Sequence, residues 1–215
     1  MIHLFSHPSS VFAAIFSLCL LLASSPGAHG QTPQKIVFLG DSITAGYGLK
    51  KEEAYPAMVQ QLAAADGHRL QVLNAGLSGD TTAGGLRRIA VLAKRPIDIL
   101  VIALGGNDGL RGIAPKVSQA NIEAIVDRVR KAQPDAKILV AGMQMPENMG
   151  KDYTDAFRKV FAEAASNKNA HALPFLLEGV AAKPSLNLPD GIHPNVKGQT
   201  MIAAHVYKAL APLLR

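Results

Sequence analysis

Four short segments of this 215-residue chain carry residue types that together could transfer an acyl group. Gly40-Asp41-Ser42-Ile43-Thr44 offers a serine hydroxyl in a turn-forming setting. Gly76-Leu77-Ser78-Gly79-Asp80 offers a glycine whose backbone N–H can approach a ligand closely. Gly105-Gly106-Asn107-Asp108-Gly109 supplies a side-chain amide, and Asp190-Gly191-Ile192-His193-Pro194 a carboxylate three residues before an imidazole. A serine hydroxyl needs a base to take its proton, and histidine has a suitable basicity. The imidazole needs a carboxylate to hold its tautomer and stabilise the imidazolium. Asp190 can reach Nδ1 of His193 across one turn, which leaves Nε2 to face Ser42. The oxyanion of a tetrahedral intermediate needs donors placed in advance, each worth about 3 to 4 kcal/mol of barrier. The candidates are the backbone N–H groups of Ser42 and Gly79 and the amide of Asn107. Singly, each segment is also what an ordinary turn or helix cap uses. Their joint presence, in this order, is what points to chemistry.

Such residues must be brought together by a scaffold. Apolar runs over residues 35–40, 71–76, 98–106 and 137–142 each end in glycine, and a weaker run covers 170–173. Their hydrophobicity is continuous rather than alternating, which predicts strands buried on both faces of a parallel sheet. Helical patterns lie between them, over 55–65, 82–94, 117–131, 153–165 and 196–210. In the third, Val117, Ile122, Ile125, Val126 and Val129 form the apolar stripe, opposite Glu123, Asp127, Arg128 and Arg130. Alternating strands and helices predict βαβ units, a doubly wound α/β sheet and a single domain over residues 31–215. In such sheets ligands bind beyond the carboxyl ends of the strands. Three of the four segments fall there, and the fourth precedes the last helix. His68, His171 and His205 have no comparable setting and are read as structural or surface residues.

Residues 1–30 have the layout of a secretory signal peptide. An apolar run over 11–23 is too short for a bilayer span, and Ala28 and Gly30 stand where a signal peptidase accepts small side chains. The first ten residues lack Lys and Arg, so an uncleaved anchor is the alternative. Export predicts a periplasmic or secreted protein. The one cysteine, Cys19, lies inside the apolar run, so the remaining chain builds no disulfide. The net charge of +6 is spread along the sequence and aromatics are 5% of residues, which argues against a nucleic-acid partner. No G-x-x-x-x-G-K-[ST] or G-x-G-x-x-G phosphate motif occurs, and Ser42 does not sit in the G-x-S-x-G elbow of α/β-hydrolases.

The stretches GDSITAGYG, NAGLSGDTT, ALGGNDGLRG and DGIHPN resemble the four sequence blocks of the SGNH, or GDSL-type, hydrolases. The resemblance is closest to the TesA-like bacterial arylesterases, and it runs from Lys35 to about Leu214, including PENMGKDY. It implies a three-layer α/β/α, flavodoxin-like fold with a five-stranded parallel sheet and no metal or organic cofactor. It implies Ser42 as nucleophile, Asp190 and His193 as its partners, and Ser42, Gly79 and Asn107 as the oxyanion hole. The implied partner is a small-molecule ester or thioester with an apolar acyl chain, such as an aryl ester, an acyl-CoA or a lysophospholipid. A monomer is the favoured oligomeric state. Met143 and Met145 follow the fourth strand and are candidates for acyl-chain contact, since methionine adapts to variable apolar shapes. Leu110 is a further candidate, in the Gly109–Gly112 segment whose terminal glycines would permit movement. The alternatives are a carbohydrate O-deacetylase with the same triad, which the lack of tryptophan disfavours, and an exported lipid-binding protein without catalysis.

Overall fold

A computed structural model describes Met1, Ile2 and residues 32–215. The expected signal peptide therefore lies outside the described residues. From residue 32 the chain alternates strand and helix: β1 (Gln34–Gly40), α1 (Ser42–Ala45), α2 (Tyr55–Ala65), β2 (Leu70–Gly76), α3 (Thr82–Leu92) and β3 (Ile99–Ala103). There follow α4 (Gly106–Leu110), α5 (Pro115–Ala132), β4 (Lys137–Ala141), α6 (Lys151–Asn167), β5 (His171–Leu173) and α7 (Val196–Leu210). All strand pairs are parallel and the order is β2-β1-β3-β4-β5, the flavodoxin-like arrangement. Helix α2 packs on α7, while α3, α5 and α6 pack in series. Right-handed crossovers put these two sets on opposite faces of the sheet, giving three layers. Thr32–Arg215 is one compact unit.

The two-faced burial expected of the strands holds for the middle of the sheet. Every residue of β3 is buried, and in β1 and β4 only Lys35 and Lys137 are not. It fails for β2 and β5, the two edges. In β2 only Leu70 and Ala75 are buried, and β5 has no buried residue. An apolar run fixes strand character, but the topology decides which strand is left with one open flank.

Helix α5 carries a second departure. Ile122, Ile125, Val126 and Val129 are buried as expected, but Val117 is 49% exposed. Ser118 takes the inward position instead, because it sits four residues before Ile122 while Val117 falls about 100° off the stripe. Its hydroxyl donates to the buried carboxylate of Asp108. Arg130 is not simply solvated, since its guanidinium donates to the carbonyls of Lys168 and Asn169. Helices α1 and α4, of four and five residues, are too short to register as a periodic pattern.

Candidate active site

Strands β1 and β3 are neighbours whose chains leave in opposite directions across the sheet, which is the switch point where α/β folds open a crevice. Ser42 is the first residue of α1, directly after β1. Asp41 caps that helix, its Oδ1 accepting the N–H of Ile43 at 3.0 Å. The helix is tied down from two sides. The Asn74 amide donates to the carbonyl of Thr44 at 2.8 Å, and the Thr44 and Tyr55 hydroxyls hydrogen-bond at 2.9 Å. From α7, the buried Gln199 amide accepts the N–H of Tyr55 at 2.9 Å and donates to the carbonyl of Ile43 at 3.1 Å. Gln199 thus registers the segment that follows His193 against the turn that carries Ser42.

Asp190 and His193 lie just before α7. Nε2 of His193 is 2.9 Å from Oγ of Ser42, and Nδ1 is 2.7 Å from Oδ2 of Asp190. Oδ1 of Asp190 accepts the backbone N–H groups of Ile192 and His193, each at 2.9 Å. The N–H of His193, its imidazole and the N–H of Ile192 together hold the Asp190 carboxyl down at about 2. The carboxylate is therefore ionised throughout the neutral range. The ring of Tyr47 lies 4.4 Å from that of His193, tilted by 34°, and covers one of its faces.

The other two expected oxyanion donors, Gly79 and Asn107, are linked through Asp80. Gly79 has φ of 78°, a left-handed conformation that favours glycine, and its carbonyl accepts from Arg111 at 3.1 Å. The amide nitrogen of Asn107, on α4, donates to the carbonyl of Asp80 at 2.9 Å. An amide nitrogen carries two hydrogens, so this bond fixes the group while its second N–H is available to an oxyanion. Asp108, next in the chain, is fully buried. It accepts from the backbone N–H and hydroxyl of Thr82 and from Ser118. These bonds fasten α4 to α3 and α5.

The acyl-contact candidates separate. Leu110 is 54% exposed at the end of α4, and Met145 is half-buried against the core. Met143 is 3% exposed and is a core residue, which corrects the expectation that it offers surface to an acyl chain. The Gly109–Gly112 segment is in part the end of α4 rather than an open loop. A Cβ on Gly109 would stand 2.1 Å from the Met145 sulfur, so this glycine is there for close packing. Among the described residues, no group of three His, Cys, Asp or Glu side chains could hold a metal ion. No helix among them is long and apolar enough to cross a membrane.

Asp41, which stood in the first segment without a role, is buried beside Ser42, and desolvation raises its carboxyl to about 6 despite the Ile43 N–H and the nearby His193. Because the fold favours the neutral acid, the stability this group contributes is fully present below about 4 and is lost as pH rises through 6. The difference from 3.8 corresponds to about 3 kcal/mol at most. Asp41→Asn keeps the cap oxygen and removes the ionisation. It is expected to melt above the parent protein at pH 8 and level with it near pH 4. Thermal melts across that range check this, and a constant difference would contradict it.

A flavodoxin-like sheet with a serine, an imidazole and a carboxylate in hydrogen-bonded line at its carboxyl edge defines an α/β protein of the serine-hydrolase class. The profile of the GDSL-like Lipase/Acylhydrolase family matches residues 38–201. The chain belongs to that family. It is 39% identical to Esterase TesA of Pseudomonas aeruginosa over 94% of this chain and 99% of that protein. It is 37% identical to the thioesterase 1/protease 1/lysophospholipase L1 of Escherichia coli, over 92% and 91%. Among solved structures it is similar to TesA, with a TM-score of 0.80 and 40% identity over 84% of this chain and 100% of that one. It is also similar to the psychrotrophic esterase EstA from Pseudoalteromonas sp. inhibited by monoethylphosphonate (TM-score 0.77, 33% identity, 83% and 97% covered).

Proposed function

We propose that this protein is an exported serine hydrolase that cleaves carboxylic esters and thioesters of apolar acyl groups through an acyl-enzyme intermediate. The observation that carries the reading is the Ser42–His193–Asp190 line, with its 2.9 and 2.7 Å spacings. Oγ of Ser42 attacks the carbonyl carbon while its proton passes to Nε2 of His193. The carbonyl oxygen gains negative charge and is met by N–H donors of Ser42, Gly79 and Asn107. As the bond to the leaving alcohol or thiol breaks, His193 returns the proton to it, and the acyl group stays on Ser42. Water then attacks the acyl-enzyme, His193 takes its proton, and collapse releases the carboxylic acid and frees Ser42. Asp190 remains ionised throughout and keeps the proton on Nδ1.

The rim supports this substrate class. Tyr47, Leu77, Leu110 and Ile192 are each about half exposed, and each lies within five residues of Ser42, Gly79, Asn107 or His193. Exposed apolar side chains close in the chain to the reacting residues favour an apolar acyl chain over a sugar. The names of the relatives, an esterase and a thioesterase/lysophospholipase, support the same class. A panel of p-nitrophenyl esters, acyl-CoA thioesters and a lysophospholipid tests this. Turnover that rises with acyl length is expected, and turnover of acetylated sugar alone would overturn it. Export rests on the apolar run of residues 11–23 and the small residues after it. The exported form should begin at Gln31 on N-terminal sequencing, and retention of Met1 would contradict the export reading.

Asn107→Ala measures the amide's contribution. It is expected to lower kcat about a hundredfold to a thousandfold. KM should change little, because the charge exists only in the transition state. Steady-state kinetics on an aryl ester check this, and a near-normal kcat in a stable variant would remove Asn107 from the oxyanion hole.

A further inference from the structure

We propose that Arg88 is a positioning residue that locks the Ser42 turn and the oxyanion-hole segment into one frame. The proposal rests on the reading of the site given above and extends it to a side chain that touches no substrate. Arg88 lies in α3 and its side chain is 27% exposed. Its guanidinium reaches two backbone carbonyls and one side-chain carboxylate. Nη2 donates to the carbonyl of Gly40 at 3.2 Å, two residues before Ser42. Nη1 donates to the carbonyl of Ala75 at 2.8 Å, at the end of β2. Nε and Nη2 both donate to Oδ2 of Asp80, at 2.8 and 2.5 Å, and that carboxylate is buried.

Asp80 carries the connection onward. It directly follows Gly79, and its carbonyl accepts the amide of Asn107. One cation is thus bonded to the strand end that presents the nucleophile. It is also bonded to the residue that joins the two other oxyanion donors. The carbonyls of Gly40 and Ala75 belong to β1 and β2, which are paired in parallel register up to Gly40 and Gly76. Arg88 closes that pair where its ladder ends. The geometry requires a planar fork with several N–H donors in fixed directions, which an ammonium does not provide. The helix is shaped around it. Gly84, one turn earlier on α3, stands where a Cβ would come within 1.7 Å of Oδ1 of Asp80. A glycine inside a helix costs about 1 kcal/mol against alanine, and here it makes room for the ion pair.

Displacement by an ångström at a catalytic centre can cost about a hundredfold in rate. Arg88→Ala and Arg88→Lys are therefore expected to lower kcat on an aryl ester by about tenfold to a hundredfold with KM close to the parent value. Arg88→Lys, which retains a charge for Asp80, should melt nearer the parent than Arg88→Ala does, yet recover little kcat. The distinguishing measurement is the cycle with Asn107→Ala. If Arg88 acts through Asn107, its substitution costs clearly less kcat in that background than alone, while the losses in melting temperature add. Should Arg88→Ala fail to fold, the same cycle is run with Arg88→Lys. Parent-like kcat in a folded Arg88→Lys, or kcat losses that add fully in the cycle, would overturn the proposal. An inactive parent protein, or one whose Ser42 a phosphonate does not modify, would overturn the reading of the site instead.

Discussion

Ser42→Ala is expected to lower kcat for aryl-ester hydrolysis on the order of a millionfold, the scale seen when the nucleophile of such a relay is removed. The hydroxyl is 2.9 Å from Nε2 of His193, and without it the imidazole has no nucleophile to activate at that point. Residual turnover would come only from water acting in a preformed site. The fold should survive, because Ser42 is half-buried at the rim and α1 is held by Asp41, Asn74, Tyr55 and Gln199 rather than by the serine hydroxyl. The melting temperature should therefore stay within a few degrees of the parent, consistent with a loss of about 1 kcal/mol or less. Steady-state kinetics paired with a thermal melt check both parts. A folded Ser42→Ala protein with full activity would assign the nucleophile elsewhere.

Asp190→Asn is expected to cost about ten-thousandfold in kcat with the backbone of the loop unchanged. The asparagine oxygen can still accept the N–H groups of Ile192 and His193 that Oδ1 accepts now. Its NH₂ group then faces Nδ1, which must become the acceptor. That tautomer carries its proton on Nε2, aimed at Ser42, where a base is needed. The loss should appear in kcat at every pH from 5 to 9, because the Asp190 carboxyl, held at about 2, is ionised across that range in the parent. What Asp190 contributes to stability is present above the ordinary carboxylate value of 3.8 and lost only as pH falls through about 2. The acid limb of the parent's activity therefore does not report Asp190. A variant within tenfold of the parent would mean that the imidazole is oriented by something else.

Much of this site was legible in the sequence because its parts are local. Asp190 and His193 meet within one turn, and Ser42, Gly79 and Asn107 each follow a strand whose apolar run is unmistakable. Helices α2 and α7 even have the bounds that their patterns predicted. What stayed hidden depends on long-range pairing. Arg88 looks like one of two adjacent surface arginines, and only the fold brings it to Gly40, forty-eight residues away. The one signal was the Gly84-Gly85 pair inside a helical pattern, which marks a close approach without naming the neighbour. Gln199 likewise meets Ile43 across 156 residues. Met143 follows β4 towards the crevice in the sequence, yet it is buried because α4 packs on it: a Cβ on Gly106 would lie 3.5 Å from its methyl group. Edge and centre strands are hard to tell apart in sequence, since β1 and β2 each have four apolar residues in seven, although Gln71 and Asn74 break the run in β2.

Reaction of the purified protein with a fluorophosphonate, followed by intact mass and peptide mapping, addresses the nucleophile directly. One phosphonyl group per chain is expected, on the peptide containing Ser42, with loss of esterase activity in step with modification. Ser42→Ala should take up none. An active protein that resists the probe, or one modified at a residue other than Ser42, would contradict the assignment of Ser42, His193 and Asp190 as the reacting line.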